Sequence, residues 1–287
     1  MEAHESLSKR EITRGPIEAR KNKSTVPVQL IKRCSIQWAS LFLSWPTMNH
    51  VVTFLLGILF IVSCSSKKPL VMSSTDLNVL TTAERALGWE SLFNGKDMSK
   101  WRQYKKEGID GWKVENDEMI ALGIEGLSAD IITKETFENF ELSIEWNISE
   151  RGNSGIFFNV REEDHLNYVY ESGPEYQLLD DESFRDQLKD WQETGANYAM
   201  HPPMVTAQNP RGTYNHTRVI VDEGKVQHWL NDILIVQYEL WTPEWEALKE
   251  SGKWKDYPDY GKFKSGHIAL QDHGNQINFR NIKIRRL

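Results

Sequence analysis

Strict alternation of apolar and polar residues is the pattern that most restricts the fold of this chain. Between residues 137 and 149, one parity is apolar throughout: Phe140, Leu142, Ile144, Trp146 and Ile148. Residues 218–240 repeat the alternation in three segments, and the last two are separated by Asn231-Asp232, a dipeptide typical of tight hairpins. Period two is the side-chain period of a half-buried β-strand, so these segments are predicted to be strands.

Helical signals are few. Residues 183–191 carry apolar side chains at helical spacing, and residues 242–252 begin with a threonine cap and a proline and end at a glycine. Thr81 and Glu84 have the spacing of a capping box at the start of another short helix. Many short strands with glycine-marked turns predict an all-β fold, a sandwich of two antiparallel sheets with short helical insertions.

Two further alternating segments carry polar side chains that suit chemistry. In residues 173–180, Glu175 and Gln177 fall on one face of a strand, and in residues 267–274 Gln271 and His273 also share a face. If both strands lie in one sheet, a carboxylate and an imidazole converge on one surface. Glu175 and His273 are therefore a candidate acid/base pair.

The composition excludes several classes of function. The net charge of -7 argues against a nucleic-acid partner, which usually needs a basic face. The two cysteines are Cys34 and Cys64, so thiol catalysis, cysteine-based zinc sites and a disulfide framework are excluded after residue 64. The eleven tryptophans can pack a core, and their flat faces also suit sugars.

The N-terminal third contains a targeting signal. Residues 51–62 form an apolar run that has the length of a signal-peptide core and is too short to span a membrane. The run leads into Ser63-Cys64, which resembles a bacterial lipobox; an ordinary secretory signal or a short buried helix is the alternative. Residues 48–64 are thus predicted to be a lipoprotein signal peptide, with lipidation at Cys64, and residues 1–47 a non-native upstream extension or a disordered segment.

This signal predicts where the protein resides. A lipidated Cys64 would anchor the chain to the bacterial cell envelope, at the periplasmic face of the outer membrane or at the cell surface. Ser65 follows the cysteine in place of the aspartate associated with retention at the inner membrane. The membrane contact expected from the sequence is therefore a lipid anchor and not a membrane span.

The remainder is predicted to form a tether with a short helix, residues 65–88, and one domain, residues 89–287. Within that domain, residues 195–215 form a long irregular stretch, which is typical of a functional loop. The parity of the apolar residues changes along the last strand, which predicts a β-bulge near Arg280-Asn281.

Six segments occur in the order found in one protein family. They are residues 89–97 (WESLFNGKD), 152–157 (GNSGIF), 173–177 (GPEYQ), 226–231 (VQHWLN), 269–274 (ALQDHG) and 279–282 (FRNI). Over residues 84–287 the chain resembles the 3-keto-disaccharide hydrolase domain, formerly a domain of unknown function. The resemblance implies a concanavalin-like jelly roll and a protein that is secreted or lipid-anchored.

The resemblance also implies cleavage of a glycoside whose sugar carries a ketone at C3. That ketone acidifies the neighbouring C2–H, so a base can remove the proton and the substituent on C1 leaves by elimination. Addition of water would complete a net hydrolysis, and both products are left open. Such a reaction needs a base near C2, an acid near the glycosidic oxygen, and donors or a metal for the enolate oxygen.

For that reaction Glu175 and His273 are expected to transfer protons, with the roles of base and acid left open. The predicted substrate-binding residues are Gln177, Gln271, Arg280, Asn153 and Tyr198. A divalent metal ion held by Glu175, His273 and a neighbour would equally explain the grouping, although no ligand spacing in the sequence requires one. No other cofactor is predicted.

Two other functions compete with this hypothesis. The first is a carbohydrate-binding module on the same sandwich, which holds sugar without turnover; it needs aromatics and amides but no converging titratable pair. The second is a conventional endo-glycosidase, which uses two carboxylates beside C1; the closely spaced carboxylates usual along one of its strands are missing here. A small carbohydrate is the expected partner, and the oligomeric state is not specified.

Overall fold

The computed structural model describes residues 77–124 and 126–287. The predicted signal peptide with Cys64, the upstream extension and residues 65–76 of the tether lie outside this part of the chain. Within the described residues, no helix combines the length and the apolar character needed to cross a bilayer.

The described residues form two antiparallel sheets. The larger sheet contains β1 (Trp89–Ser91), β3 (Trp112–Glu115), β4 (Glu118–Ala121), β6 (Phe140–Ile148), β9 (Asn215–Asp222), β10 (Lys225–Leu230), β11 (Ile233–Glu239) and β13 (Ile277–Arg286). Its strands lie in the order β11-β10-β9-β6-β13-β4-β3, and β1 also pairs with β13. The smaller sheet contains β2 (Trp101–Gln103), β5 (Ile131–Thr133), β7 (Asn153–Val160), β8 (Glu175–Leu179) and β12 (His267–Leu270). Its strands lie in the order β2-β5-β12-β7-β8. The all-β sandwich predicted from alternation is confirmed.

Short helices connect the strands. They are α1 (Thr82–Ala86), α2 (Asp181–Phe184), α3 (Pro243–Ser251) and the one-turn 3₁₀ helices Val169–Glu171, Asp190–Gln192 and Lys253–Asp256. Both capping predictions are confirmed. Thr81 caps α1 in a capping box with Glu84, and the Thr242 side chain accepts a hydrogen bond from the Trp245 backbone N–H at the start of α3.

The core lies between the two sheets and follows from the alternation. Phe140, Leu142, Ile144 and Trp146 of β6 are fully buried, and they join inward side chains of the smaller sheet such as Ile156 in one cluster. Complete burial of one such side chain stabilises the fold by ~1.5–3 kcal/mol.

The predicted hairpin and bulge are confirmed as well. Asn231 and Asp232 both have positive φ, 50° and 66°, as the tight turn between β10 and β11 requires. In β13 the register to β6 shifts between Arg280 and Lys283, and Asn281 has a φ of 50°. The extra residue lets the apolar side chains on both sides of the bulge face the core.

The helix predicted over residues 183–191 is wrong. The chain forms only α2 and, after exposed residues, the turn Asp190–Gln192. The Asp181 carboxylate accepts a hydrogen bond from the Thr194 backbone N–H at 3.0 Å. Because this bond ties the two ends of the segment together, the chain has to fold back where a straight helix would have carried it away.

Candidate active site

The outer face of the smaller sheet, turned away from the larger sheet, carries the candidate site. Residues directly opposite each other in paired strands point to the same side. Across the sheet, Glu175 lies opposite Phe157, Phe157 opposite Ala269, and Ala269 opposite Ile132. The apolar members of this face form a separate buried cluster, which we name the floor: Ile132, Phe157, Val160, Val169 and Ala269. Glu175 therefore lies at the edge of an apolar floor.

Polar residues form the next row across the same face, beside the row that contains Glu175. Gln177 is opposite Gly155, and the Gly155 carbonyl accepts a hydrogen bond from the Gln271 backbone N–H at 3.0 Å. Asn153 begins β7 two residues before Gly155, so it shares this face. The structure thus brings Glu175, Gln177 and Asn153 to one face, with the Gln271 backbone bonded to the same row, whereas alternation alone could place them only within their own strands.

Gly155 makes room for the Glu175 carboxyl group. A Cβ atom at residue 155 would lie 2.6 Å from Glu175 Oε1 and 2.9 Å from a ring carbon of Phe157. Side-chain atoms do not approach a Cβ that closely, so the carboxyl group lies over the bare backbone of Gly155. The residue between Ser154 and Ile156 is therefore a glycine for steric reasons and not for backbone freedom.

Gln177 orients this carboxyl group. With its amide nitrogen turned toward Glu175, Gln177 Nε2 donates to Glu175 Oε1 at 3.0 Å and to the Ser154 carbonyl at 3.2 Å. Both Gln177 and Glu175 are buried. A buried acid held by one amide in a fixed rotamer is preorganised to accept or give a proton in one direction.

The irregular segment 194–198, which we name the strap, runs along the outer edge of β8. Gly195 N–H donates to the Gln177 carbonyl, Gln177 N–H to the Ala196 carbonyl, and Tyr198 N–H to the Glu175 carbonyl, at 2.8–3.1 Å. The buried His228 ring supports the strap from behind, since its Nδ1 lies 2.9 Å from the Gly195 carbonyl. The strap thereby carries Tyr198 to the site.

Lys253 supplies a cation next to Tyr198. Its Nζ lies 4.5 Å from the ring centroid of Tyr198, 4.4 Å from that of Trp254 and 5.8 Å from that of Tyr170. Burial of the ammonium lowers the pKa of Lys253, and the charge of Glu175 opposes that shift. The ammonium is thus stabilised by aromatic faces and by a carboxylate that lies beyond direct ion-pair distance.

Burial is the main influence on Glu175. It raises the pKa of the carboxyl group to about 8, against the opposing charge of Lys253 and with the charge of Asp130 adding to the rise. A carboxyl group in an apolar pocket keeps its proton at a pH where an exposed one has lost it. At neutral pH both protonation states of Glu175 are accessible, as a group that takes up and returns a proton requires.

Asp130 is a second carboxyl group at this site, and sequence reasoning missed it. Its carbonyl accepts from Tyr104 N–H at 2.9 Å, and its Oδ1 accepts from Asp272 N–H at 3.2 Å. Burial raises the pKa of Asp130 to about 7 and outweighs the hydrogen bond from Asp272, while the charge of Asp272 adds to the rise. The site therefore holds two acids with raised pKa values, and the charge of Asp130 acts on Glu175.

His273 follows the end of its strand, and Arg280 lies on the other sheet. Strand β12 ends at Leu270, and His273 is exposed in the turn that follows. Burial raises the pKa of Asp272, and the charge of His273 is among the influences that lower it. The pairing of His273 with Glu175 stays a prediction.

Arg280 belongs to the larger sheet. Its Nε donates to Glu145 Oε2 at 2.8 Å, and its guanidinium lies 3.5 Å from the ring centroid of Tyr214. It stands on the outer side of β13, the strand whose inward side chains pack in the core. Its predicted contact with the substrate therefore has no support in this geometry, because Glu175 faces out from the opposite sheet.

No cluster of three or more His, Cys, Asp or Glu side chains with metal-site geometry occurs among residues 77–124 and 126–287. A metal ion at Glu175 and His273 would need amide, carbonyl or water ligands to complete its shell.

A separate polar cavity of about 600 Å³ lies beyond the end of β8 and is lined in part by Asp180, Gln208 and Arg211. Asp180 accepts hydrogen bonds from Arg151 N–H and Ser183 Oγ and pairs with Arg211 at 3.2 Å. The hydrogen bonds and ion pair of Asp180 anchor the segment that leads to the strap.

Comparisons with known proteins agree on one family. Residues 88–285 match the family model described as 3-keto-alpha-glucoside-1,2-lyase-like domain. A curated protein from Bacteroides thetaiotaomicron, named 3-keto-disaccharide hydrolase, is 32% identical over 242 residues, which cover 75% of this chain and 83% of that protein.

Solved structures show the same fold. A candidate glycosyl hydrolase from Parabacteroides distasonis is 38% identical and covers 74% of this chain and 99% of its own, with a TM-score of 0.69. A second candidate glycosyl hydrolase from that organism, at 24% identity and a TM-score of 0.56, covers 69% of this chain and 99% of its own and is similar in fold alone. The expected jelly-roll sandwich is confirmed.

Proposed function

Because the chain belongs to the 3-keto-alpha-glucoside-1,2-lyase-like family, we propose that it cleaves glycosides whose sugar ring carries a ketone at C3. The expectation of an enzyme is confirmed by this membership and by the hydrolase to which the chain is similar. The observation that carries the proposed chemistry is the Glu175 carboxyl group, buried beside the floor with a raised pKa and a cation nearby.

The first step of the proposed reaction is proton removal from C2. The Glu175 carboxylate takes the proton, and the electron pair of the C2–H bond delocalises onto the C3 oxygen as an enolate. Lys253 contributes a positive charge that favours this developing anion, in a site where apolar and aromatic side chains keep the effective dielectric low. Gln177 holds the base in one orientation.

The second step is loss of the substituent on C1. The enolate electron pair forms the C1–C2 double bond while the C1–O bond breaks, and the departing oxygen needs a proton. Asp130 is the proposed donor, since its pKa of about 7 leaves a protonated fraction at neutral pH and its charge acts on Glu175. Water then adds at C1 and gives up a proton to the Asp130 carboxylate. The Glu175 carboxyl group, whose proton exchanges with the solvent that enters after the leaving group departs, returns a proton to C2, so that the sum is a hydrolysis.

The test separates this route from a direct displacement at C1. Purified protein is incubated in D₂O with a 3-keto-disaccharide and, separately, with the same disaccharide before oxidation. We expect cleavage of the keto compound only. Mass spectrometry should show one deuterium at C2 of the released keto sugar. The released sugar kept in D₂O without protein corrects for spontaneous exchange. Cleavage of both disaccharides, with hydrogen retained at C2, would contradict the proposal and indicate an ordinary glycosidase.

A binding module without turnover is the rival from another class. It would need the aromatic and amide side chains of this face, but it gives no reason for two carboxyl groups with raised pKa values. The same incubation decides, because a binding module releases no product from either disaccharide.

We also propose that the mature chain is attached to the cell envelope by a lipid on Cys64. The support is the apolar run 51–62 followed by Ser63-Cys64. In cells that express the full chain we expect Cys64→Ser to move the protein from the detergent fraction to the aqueous fraction. Cys34→Ser is the matched control. Mature peptides from residues 5–45 in the mass spectrum would contradict this processing.

A further inference from the structure

Tyr168 differs from every other aromatic side chain in the described part of the chain. It is 43% exposed, whereas the remaining Phe, Tyr and Trp residues of that part are buried or half-buried. Its ring is also well ordered by its surroundings. It stacks in parallel on Tyr170, with 5.1 Å between the ring centroids and 6° between the planes. An exposed ring fixed in one orientation offers a flat apolar surface to a ligand.

Tyr170 connects this surface to the site. It packs against the floor that also contains Phe157 and Ala269, and the Lys253 ammonium lies 5.8 Å from its ring centroid. Burial raises the pKa of Tyr170, and the charge of Asp130 adds to the rise. Glu175, Lys253, Tyr170 and Tyr168 therefore follow one another outward from the base to the rim of the same face.

The backbone around Tyr168 is fixed as well. Tyr168 precedes the turn Val169–Glu171, and the Glu171 carboxylate accepts hydrogen bonds from the backbone N–H groups of Asn167 and Tyr168. The Tyr170 ring is in turn held by edge contact with Tyr257, at 5.9 Å between centroids. A surface that is already rigid loses little conformational entropy when a ligand binds.

We propose that Tyr168, supported by Tyr170, is the binding platform for the ring of the leaving group, the part of the substrate that departs from C1. This inference rests on the proposed function, because it takes the position of the keto sugar from the position of its base. The keto ring has to lie over Glu175 for proton removal from C2. Tyr168 lies at the rim, one stacked ring beyond Tyr170, so the substrate portion that reaches it is the one attached through C1.

The chemistry of the platform defines the class of leaving group. A tyrosine face binds rings with an apolar face through C–H or π contacts, and it has no means of binding a short alkyl group in one orientation. Two kinds of leaving group share this property: a second pyranose and an aromatic alcohol. Their shared feature is the ring, and separate substrates distinguish them.

The experiment compares three 3-keto-glucosides that differ only at C1, bearing a glucose, a phenyl group or a methyl group. For Tyr168→Ala we expect KM to rise about fivefold to tenfold for a ring-bearing substrate, with kcat and the methyl glycoside unaffected. Tyr168→Phe should restore the wild-type KM because it keeps the ring. Ile233→Ala, at an exposed residue of β11, is the matched control and should change nothing.

Each outcome bears on the platform. If KM of Tyr168→Ala rises for the disaccharide alone, the platform binds a second sugar. If KM rises for the phenyl glycoside alone, the platform binds an aromatic alcohol. Equal rises for all three substrates would place Tyr168 against the keto ring and overturn the proposal, as would no rise for any.

A binding measurement separates this proposal from the proposed function. The probe is a 3-keto-disaccharide in which a CH₂ group replaces the glycosidic oxygen, so that no cleavage can occur. Its Kd should rise about fivefold to tenfold in Tyr168→Ala even if the wild type cleaves nothing. If the wild type shows no turnover but Tyr168→Ala still shifts Kd, the proposed reaction is wrong and the platform stands. If the wild type is active and Kd is unchanged in Tyr168→Ala, only the platform is wrong.

Discussion

We expect Glu175→Gln to lower kcat on a 3-keto-disaccharide by about 10³-fold while KM changes little, because the variant keeps the shape of the side chain and loses the base. In the wild type, kcat/KM should be bell-shaped with its maximum between the Asp130 pKa of about 7 and the Glu175 pKa of about 8, since Glu175 works only after it has lost its proton and Asp130 only while it keeps its own. Steady-state kinetics from pH 5 to 9 measure both effects. Wild-type turnover by the variant would contradict the assignment, and His273→Ala in the same assay tests the pairing expected from the sequence.

The same substitution has a stability signature that serves as its control. The folded chain holds the Glu175 proton up to about pH 8, whereas the usual pKa of 4.5 applies to the unfolded chain. Raising the pH from 4.5 to 8 therefore deprotonates the unfolded state first and lowers the free energy of unfolding. In Glu175→Gln this decline should be shallower, although Asp130 and Asp181, whose pKa values are also raised, still contribute. Urea titrations of both proteins across this pH range measure the free energy of unfolding. Glu250→Gln, at an exposed residue of α3, is the control.

We expect Gly155→Ala to lower kcat by about 10²-fold in a protein that still folds. The new methyl group would lie 2.6 Å from Glu175 Oε1, and the carboxyl group is the part that can move. A displacement of about 1 Å in the position of a base costs on the order of 10²-fold in rate. The Phe157 ring, 2.9 Å away, has to shift as well, so the free energy of unfolding should fall by ~1–3 kcal/mol.

Gly252→Ala is the matched control for that variant. A methyl group there meets nothing closer than the Leu248 carbonyl at 3.5 Å, which is an ordinary contact. Rate and stability should both stay near the wild-type values. If Gly155→Ala also retained the wild-type kcat, the Glu175 carboxyl group would not lie over residue 155 during catalysis.

Local alternation predicted most of the fold because the two-residue period of a strand can be recognised from residues adjacent in sequence. It identified the core face of β6, the hairpin at Asn231-Asp232 and the bulge in β13, which are confirmed. It also placed Glu175 beside Gln177, since both belong to one strand. These features depend on neighbours in sequence and require no knowledge of which strands pair.

The rest of the site depends on long-range pairing, for which a single sequence carries no signal. Asp130 precedes β5, a strand of three residues that is too short to show a period. Lys253 comes from the helical insertion after β11 and reaches Tyr198 through the tertiary fold. The family resemblance implied a substrate contact for Arg280, but its strand belongs to the other sheet. His273 follows the end of β12, where alternation no longer fixes a side-chain direction.

The strap has a consequence for solubility. Strand β8, which carries Glu175, is the outermost strand of its sheet, and the main-chain groups of an unprotected edge recruit strands from other molecules. The strap satisfies the backbone of Gln177 on both its N–H and C=O groups without being a strand of the sheet itself. Shortening or unfastening residues 194–198 would uncover the apolar sequence of β8, so such variants should form intermolecular β-structure and precipitate, whatever they do to the chemistry.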